Sequence, residues 1–303
     1  MAECWYPRII RTENGPIIVR CNHCLPCLQH RQGEWISRFR EENKVCSSVY
    51  FVTLTYAEEN RPKVFMPETQ RFEPAVIKQH IIKLHKDMRK RFQQGFFQDS
   101  TFKDLGLSKS KDKVELPYCE FRYYVTSEYG SRGINPHYHG LYWNLPDNLD
   151  LVLCLFKALW PWGFVTVYPG TDEATAAYTA KYLVNDSLVH SYGPRPFALM
   201  SKGLGRSYLD NEKLLDWHRS DPVHRCYIPI ENKRSIMPRY LRDRIFDDDM
   251  KAAIACDSER RNSVSGKILD PHREIMENER KRHLQQEAVK QALWRFEKNN
   301  KIK

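Results

Sequence analysis

Between Val49 and Tyr56 the chain reads "VYFVTLTY", a run of β-branched and aromatic residues broken only by threonines, which predicts a strand. The period then lengthens. In "AVIKQHIIKLHKDMRKRF" the apolar residues Ile77, Ile81, Leu84 and Met88 recur at helical spacing, so an amphipathic helix is expected. Its other side carries Lys78, Lys83, Lys86, Arg89, Lys90 and Arg91 against a single Asp87 and reads as a solvated face over a sheet. An earlier helix is expected from about Leu28, with Trp35, Ile36 and Phe39 as its apolar stripe. The polar stretch from Gln93 to Lys113 reads as a loop.

"LPYCEFRYYVTSEYG" and "INPHYHGLYWN" are two more expected strands, and the turn residues of "GSRGIN" between them predict a hairpin. "DLVLCLFKALWPWG" predicts a helix stopped by Pro161 and Gly163, and "FVTVYPG" a further strand. "TDEATAAYTAKYLVND" opens like a capped helix, with Thr171 or Asp172 at the cap and Glu173 in the first turn. From His190 the periodicity weakens. The last thirty or so residues, from His272, are highly charged, and Leu284, Ala288, Ala292 and Phe296 form a thin stripe. They read as a solvated helix, either a partner-binding element or a flexible tail. The pattern divides the chain into a cysteine-rich segment over 1–48, a core over 49–190 and an extension over 191–303.

Charge adds a partner class. Forty-eight Lys and Arg against 38 Asp and Glu leave the 303-residue chain at +10, which suits a polyanion such as DNA. The longest apolar run, "LVLCLF", is far too short for a membrane helix, and the first residues lack the basic-then-apolar pattern of a signal peptide. A cytoplasmic, reducing compartment is expected. There, nine cysteines, an odd number, point to metal ligation or burial before disulfides.

Three groups of residues could carry chemistry. His137 and His139 are two apart on a predicted strand, so both imidazoles project from one face, with Tyr138 on the other. Glu128, on the predicted partner strand, could complete a set of two imidazoles and one carboxylate around a divalent ion; two hydrogen-bonded core histidines are the bland alternative. Tyr178 and Tyr182 in "YTAKY" are one helical turn apart, with Lys181 on nearly the same face. Cys21, Cys24 and Cys27 form two C-x-x-C steps in tandem, and Cys4 is the most economical fourth ligand for a structural zinc ion. His23 and His30 are fallbacks, and an iron–sulfur cluster is the rival.

In this order, "FVTLTY", "PHYHGLYW" and "YTAKY" resemble the three motifs of the HUH endonucleases that initiate rolling-circle replication. The resemblance is closer to the replication initiators of Microviridae, small single-stranded DNA phages of the gokushovirus-like kind. Those proteins also tend to carry an N-terminal cysteine cluster, an "EYG" turn, a W-x-W-G element (here "LWPWGFV"), an M-S-x-G-x-G segment (here "FALMSKGLG") and a "PRY" element (here "MPRYLRDRIF"). It spans roughly Cys4 to Phe246.

That resemblance implies an α+β fold, with an antiparallel sheet of about five strands like a ferredoxin or RRM palm and helices packed on one face. It implies Mg²⁺ or Mn²⁺ on His137 and His139, alternating nucleophiles at Tyr178 and Tyr182, and Lys181 near the DNA phosphate. The middle residue of the histidine motif is usually apolar, so Tyr138 departs in polarity and not in size; on the face away from the ion it is expected only to pack. Glu128 as third ligand is an inference from the hairpin, because that ligand varies across the superfamily. Lys202 and Arg206 in "SKGLGRSY" are expected phosphate contacts. The implied partners are a single-stranded or supercoiled DNA origin and a host helicase. The rivals are a non-catalytic zinc-dependent DNA-binding protein and a single-tyrosine nuclease like a relaxase or transposase.

Overall fold

The computed structural model describes residues 4–12, 15–97, 114–130, 135–170, 193–231, 233–264, 279–281 and 283–288. Among these, the stretch up to Glu42 groups with the stretch from Gly205 onward as one compact unit, and Asn43 to Leu204 form a second. The β hairpin β1 (Arg8–Thr12) and β2 (Gly15–Val19) precedes helix α1 (Leu25–Asn43). The second unit then runs β3 (Val49–Tyr56), a hairpin of β4 (Lys63–Met66) and β5 (Arg71–Pro74), and α2 (Lys78–Gln94). It continues through β6 (Phe96–Phe97), β7 (Val114–Glu115), β8 (Arg122–Glu128) and β9 (His137–Trp143). Helix α3 (Leu149–Leu159), β10 (Gly163–Pro169) and β11 (Ala198–Met200) follow. In the first unit the chain resumes with α4 (Glu212–Ser220), β12 (Tyr227–Ile230), β13 (Lys233–Ile236), α5 (Arg239–Ile245) and α6 (Asp248–Val264).

The class is α+β. Five strands form one sheet in the order β10-β3-β9-β8-β11, every neighbouring pair antiparallel. Strict alternation sorts each strand onto two faces. One face gathers Tyr50, Val52, Leu54 and Tyr56 of β3, Tyr138 and Tyr142 of β9, and Val165 and Val167 of β10. Helix α2 covers it with Ile81, Leu84, Met88 and Phe92, and α3 with Val152, Leu155 and Phe156. Each such side chain contributes roughly 1.5–3 kcal/mol on burial. His85 joins this core, its Nε2 2.9 Å from the Tyr142 hydroxyl. Burial, helped by the charge of Arg89, lowers its pKa to about 3, so the imidazole is neutral.

Several expectations shift by a few residues for identifiable reasons. Helix α1 begins three residues ahead of the expected start, taking Pro26 and Cys27 into its first turn, where a missing N–H costs nothing. Ile77 precedes α2 as its capping position, and His85 and Phe92 complete the buried stripe. The polar stretch after α2 is not all loop. Gly95 ends the helix in the left-handed region (φ 72°), and Phe96–Phe97 pair with Val114–Glu115. The basic side of α2 is exposed at Lys78, Lys83, Lys86, Arg89 and Lys90, as expected of a solvated face.

The first unit has its own small core of Tyr208, Leu215, Ile228, Met237, Leu241, Ile245 and Phe246. Sequence periodicity is weak there because the elements are short and their apolar residues meet only across turns. Within α1, Gly33 lets β13 approach: a Cβ would lie 2.6 Å from Ile236 Cδ1. Nearby, the Ser37 hydroxyl bonds the Ile236 carbonyl at 3.0 Å. Of the charged C-terminal stretch, residues 279–281 and 283–288 are helical. There the Gln285 side-chain oxygen accepts from the Leu25 N–H at 2.9 Å, satisfying an orphan donor in the first turn of α1.

Candidate metal centres

The second face of the sheet is where the histidines lie. In the ladder, His137 stands opposite Glu128 on β8 and Thr55 on β3; His139 stands opposite Thr126 and Thr53. All six side chains therefore project from the same face. The chain reverses between β8 and β9 through Gly130, whose φ of 66° is the left-handed conformation a side chain would strain, and the Asn135 N–H closes the reversal on the Tyr129 carbonyl at 2.9 Å.

The three predicted ligands converge. Glu128 Oε1 meets His137 Nε2 in a very short contact and His139 Nε2 at 3.0 Å, and the three ligand atoms lie within 4.8 Å of one another. The remaining ring nitrogens are held from behind. His137 Nδ1–H donates to the Asn135 carbonyl at 2.7 Å, and His139 Nδ1 bonds the Thr53 hydroxyl at 3.0 Å. Phe51, also on this face, stacks against His139 with ring centroids 5.6 Å apart. A metal-binding imidazole needs such support, because fixing one nitrogen aims the lone pair of the other.

The electrostatics match a cation site. Burial alone would raise the Glu128 carboxyl, but the His137 charge and hydrogen bonds from both histidines bring it down to about 2. Burial pulls the His137 imidazole down, and the Glu128 carboxylate more than offsets this, leaving it above its ordinary value. His139 is held below its ordinary value by burial. One buried carboxylate is thus balanced by a shared positive charge, a place a divalent ion could take.

Tyr138 does more than pack. It is fully buried on the opposite face, and its hydroxyl accepts from the Ile77 N–H at 2.7 Å, reaches the Ile77 carbonyl at 3.1 Å and meets the Tyr56 hydroxyl at 2.9 Å. This ties β9 to the start of α2 and explains how a phenol stands where the resembled motif usually has an apolar residue.

The cysteines form a second cluster. The Sγ atoms of Cys4, Cys21, Cys24 and Cys27 lie within 4.8 Å of one another, and the Cys21–Cys27 and Cys4–Cys24 separations are both 3.9 Å. Four sulfurs placed tetrahedrally around zinc at 2.3 Å would be about 3.8 Å apart, so the spacing fits that ion. Burial pushes the Cys27 thiol up to about 12. It would raise Cys21 too, but N–H groups of His23 and Cys24 directed at its sulfur bring it down to about 6. His23 contributes a backbone donor to this cluster, and His30 lies 3.9 Å from Glu34.

Tyr178, Lys181 and Tyr182 lie outside the described residues. Lys202 is exposed beyond β11, its carbonyl accepting from Arg122, and Arg206 is exposed at the start of a 3₁₀ turn, Arg206–Asp210. Sequence reasoning passed over Thr53, although the alternation of "FVTLTY" already sets both threonines opposite the apolar face.

No helix among the described residues is long and apolar enough to cross a membrane. Residues 49–187 match a family of replication-associated proteins of the ORF2 type. The chain is 26% identical over 211 residues to the "Replication-associated protein ORF2" of Spiroplasma virus 4, covering 64% of this chain and 58% of that protein. It is 23% identical over 240 residues to the "Replication-associated protein VP4" of Bdellovibrio phage phiMH2K, covering 74% and 66%. The alignments thus span about three-fifths to two-thirds of these relatives, and no solved structure matches. What the chain shares with replication-associated proteins of small phages includes the whole histidine–carboxylate face, because Thr53, Glu128, His137 and His139 all fall inside the matched residues.

Proposed function

We propose that this protein initiates rolling-circle replication of a small phage genome by nicking and rejoining single-stranded DNA at an origin, as an HUH endonuclease of the kind found in Microviridae. The observation that carries the reading is the convergence of Glu128, His137 and His139 within the stretch that matches replication-associated proteins. The donor set of two imidazoles and one carboxylate suits Mn²⁺ or Mg²⁺, with Mn²⁺ better served by nitrogen ligands. Bound there, the ion would withdraw charge from a non-bridging oxygen of the scissile phosphate and orient the phosphodiester.

The chain's own residues supply the rest. Thr53 and the Asn135 carbonyl hold the imidazoles in place. One of Tyr178 and Tyr182 is the first nucleophile in this reading. Its phenol oxygen forms a bond to phosphorus as the bond to the 3′ oxygen breaks, and the proton lost by the phenol is matched by one gained at that oxygen. A 5′-phosphotyrosyl link and a free 3′-hydroxyl result, the latter able to prime synthesis. The other tyrosine, one helical turn away, repeats the attack after a round of copying, and Lys181 offsets phosphate charge. The four-cysteine cluster holds a structural zinc ion, and Lys202 and Arg206 contact DNA phosphates.

Incubation of the protein with labelled single-stranded origin DNA and Mn²⁺, followed by denaturing electrophoresis, tests this. The wild type should form a denaturant-resistant adduct, each of Tyr178→Phe and Tyr182→Phe should retain some, and the double variant none. Absence of any adduct from the wild type would leave the non-catalytic DNA-binding reading, and loss in only one single variant the one-tyrosine reading.

A further inference from the structure

The strand at one edge of the sheet, β10, exposes two large aromatic side chains. Phe164 is 69% and Tyr168 59% exposed, while Val165 and Val167 between them are buried. The register puts both rings on the face that carries the histidines. Phe164 stands opposite Thr55, which stands opposite His137, so a single row runs Phe164, Thr55, His137, Glu128 across four strands. Tyr168 stands opposite Phe51, the residue whose ring stacks on His139. Between the two rows lies a third, Thr166, Thr53, His139 and Thr126, with Thr166 also exposed.

Distances follow from strand geometry. Two strand spacings separate Phe164 from His137, about 10 Å, and four residues along β10 separate Phe164 from Tyr168, about 13 Å. A water-facing strand position is ordinarily polar, and two exposed rings on the same face as a polar cluster need a flat, apolar, transient partner. Unpaired bases are such a partner, since every base has a π-face that stacks on an aromatic ring. Bases already stacked in a duplex are not. The chain's charge of +10 complements the phosphates that such a strand brings with it.

We propose that Phe164 and Tyr168 are a base-stacking platform, which binds single-stranded DNA along β10 and thereby sets which phosphate reaches Glu128, His137 and His139. This rests on the nicking function proposed above and adds the residues that would select single strands for it.

The test uses the full-length protein, a short labelled single strand, the same strand annealed to its complement, and a sugar-phosphate strand of equal length without bases, all in metal-free buffer. Phe164→Leu and Tyr168→Leu keep apolar bulk and remove the ring. Each should weaken binding of the single strand about 5- to 150-fold, the range expected from losing one stacked base. Binding of the base-free strand and of the duplex should be unchanged, as should the slope of affinity against salt, because phosphate contacts are untouched. Tyr168→Phe should bind as the wild type does.

Equal binding of the single strand by wild type and leucine variants overturns the proposal. So does an equal loss for the base-free strand, which would make the rings structural. Adduct formation in the nicking assay is read separately. A working adduct with ring-independent binding removes the platform alone, and ring-dependent binding without any adduct removes the nicking function alone.

Discussion

Glu128 stands directly across the β8–β9 ladder from His137, and its Oε1 meets Nε2 of both His137 and His139. Only a register that pairs these two residues lets one carboxylate serve two imidazoles, since a slip by one residue would send Glu128 to the opposite face.

Thr53→Val tests whether the support behind the imidazoles matters. The change removes the hydroxyl that holds His139 Nδ1 and keeps the volume of the side chain. Affinity for Mn²⁺, measured by calorimetry, should fall about 10- to 100-fold, the usual effect of losing an outer hydrogen bond to a metal-binding histidine. Undiminished affinity would separate Thr53 from the site.

Glu128→Gln removes the negative ligand and keeps its shape. Mn²⁺ should then no longer raise the thermal midpoint of the protein, whereas it should raise that of the wild type through preferential binding to the folded state. A midpoint that rises equally in both would exclude Glu128 as a ligand.

Tyr138→Phe probes the other face. It leaves the Ile77 N–H without its partner and should cost about 1–3 kcal/mol in denaturant unfolding. Mn²⁺ affinity should stay at the wild-type value, because the hydroxyl points away from Glu128. A change in affinity would show that the two faces are coupled.

The four cysteines make a stoichiometric prediction. Protein purified without chelator should carry one zinc per chain by elemental analysis, and Cys24→Ser should lose most of it. The same zinc content in Cys24→Ser would show that the ion is held elsewhere.

His85 gives stability a pH dependence of definite sign. Its folded pKa, lowered to about 3 by burial, lies below the value of about 6.5 expected of an unfolded chain. Between those values the unfolded state takes up the proton and the folded state does not. The contribution is thus complete above about pH 6.5 and shrinks as pH falls, by at most about 1.4 kcal/mol per pH unit. His80 and His218, also lowered by burial, add slopes of the same sign. His85→Gln, which can still bond the Tyr142 hydroxyl, should flatten the dependence in urea unfolding between pH 6.5 and 4. An unchanged slope would assign it to the other two histidines.

Local pattern alone placed much of the core. "VYFVTLTY" is β3 from Val49 to Tyr56 because β-branched residues favour the extended chain, and alternation put His137 and His139 on one face and Tyr138 on the other. The turn residues between β8 and β9 made the hairpin, and so Glu128, legible as well.

Tertiary structure decided what depends on pairing between distant segments. Which threonine supports His139, which cysteine joins Cys21, Cys24 and Cys27, and which aromatics of β10 share a face with the histidines follow from register and packing across tens of residues. The small core around Tyr208, Ile228 and Leu241 was hidden for the same reason. Its elements are too short to show a period, and only their meeting in space removes those side chains from water.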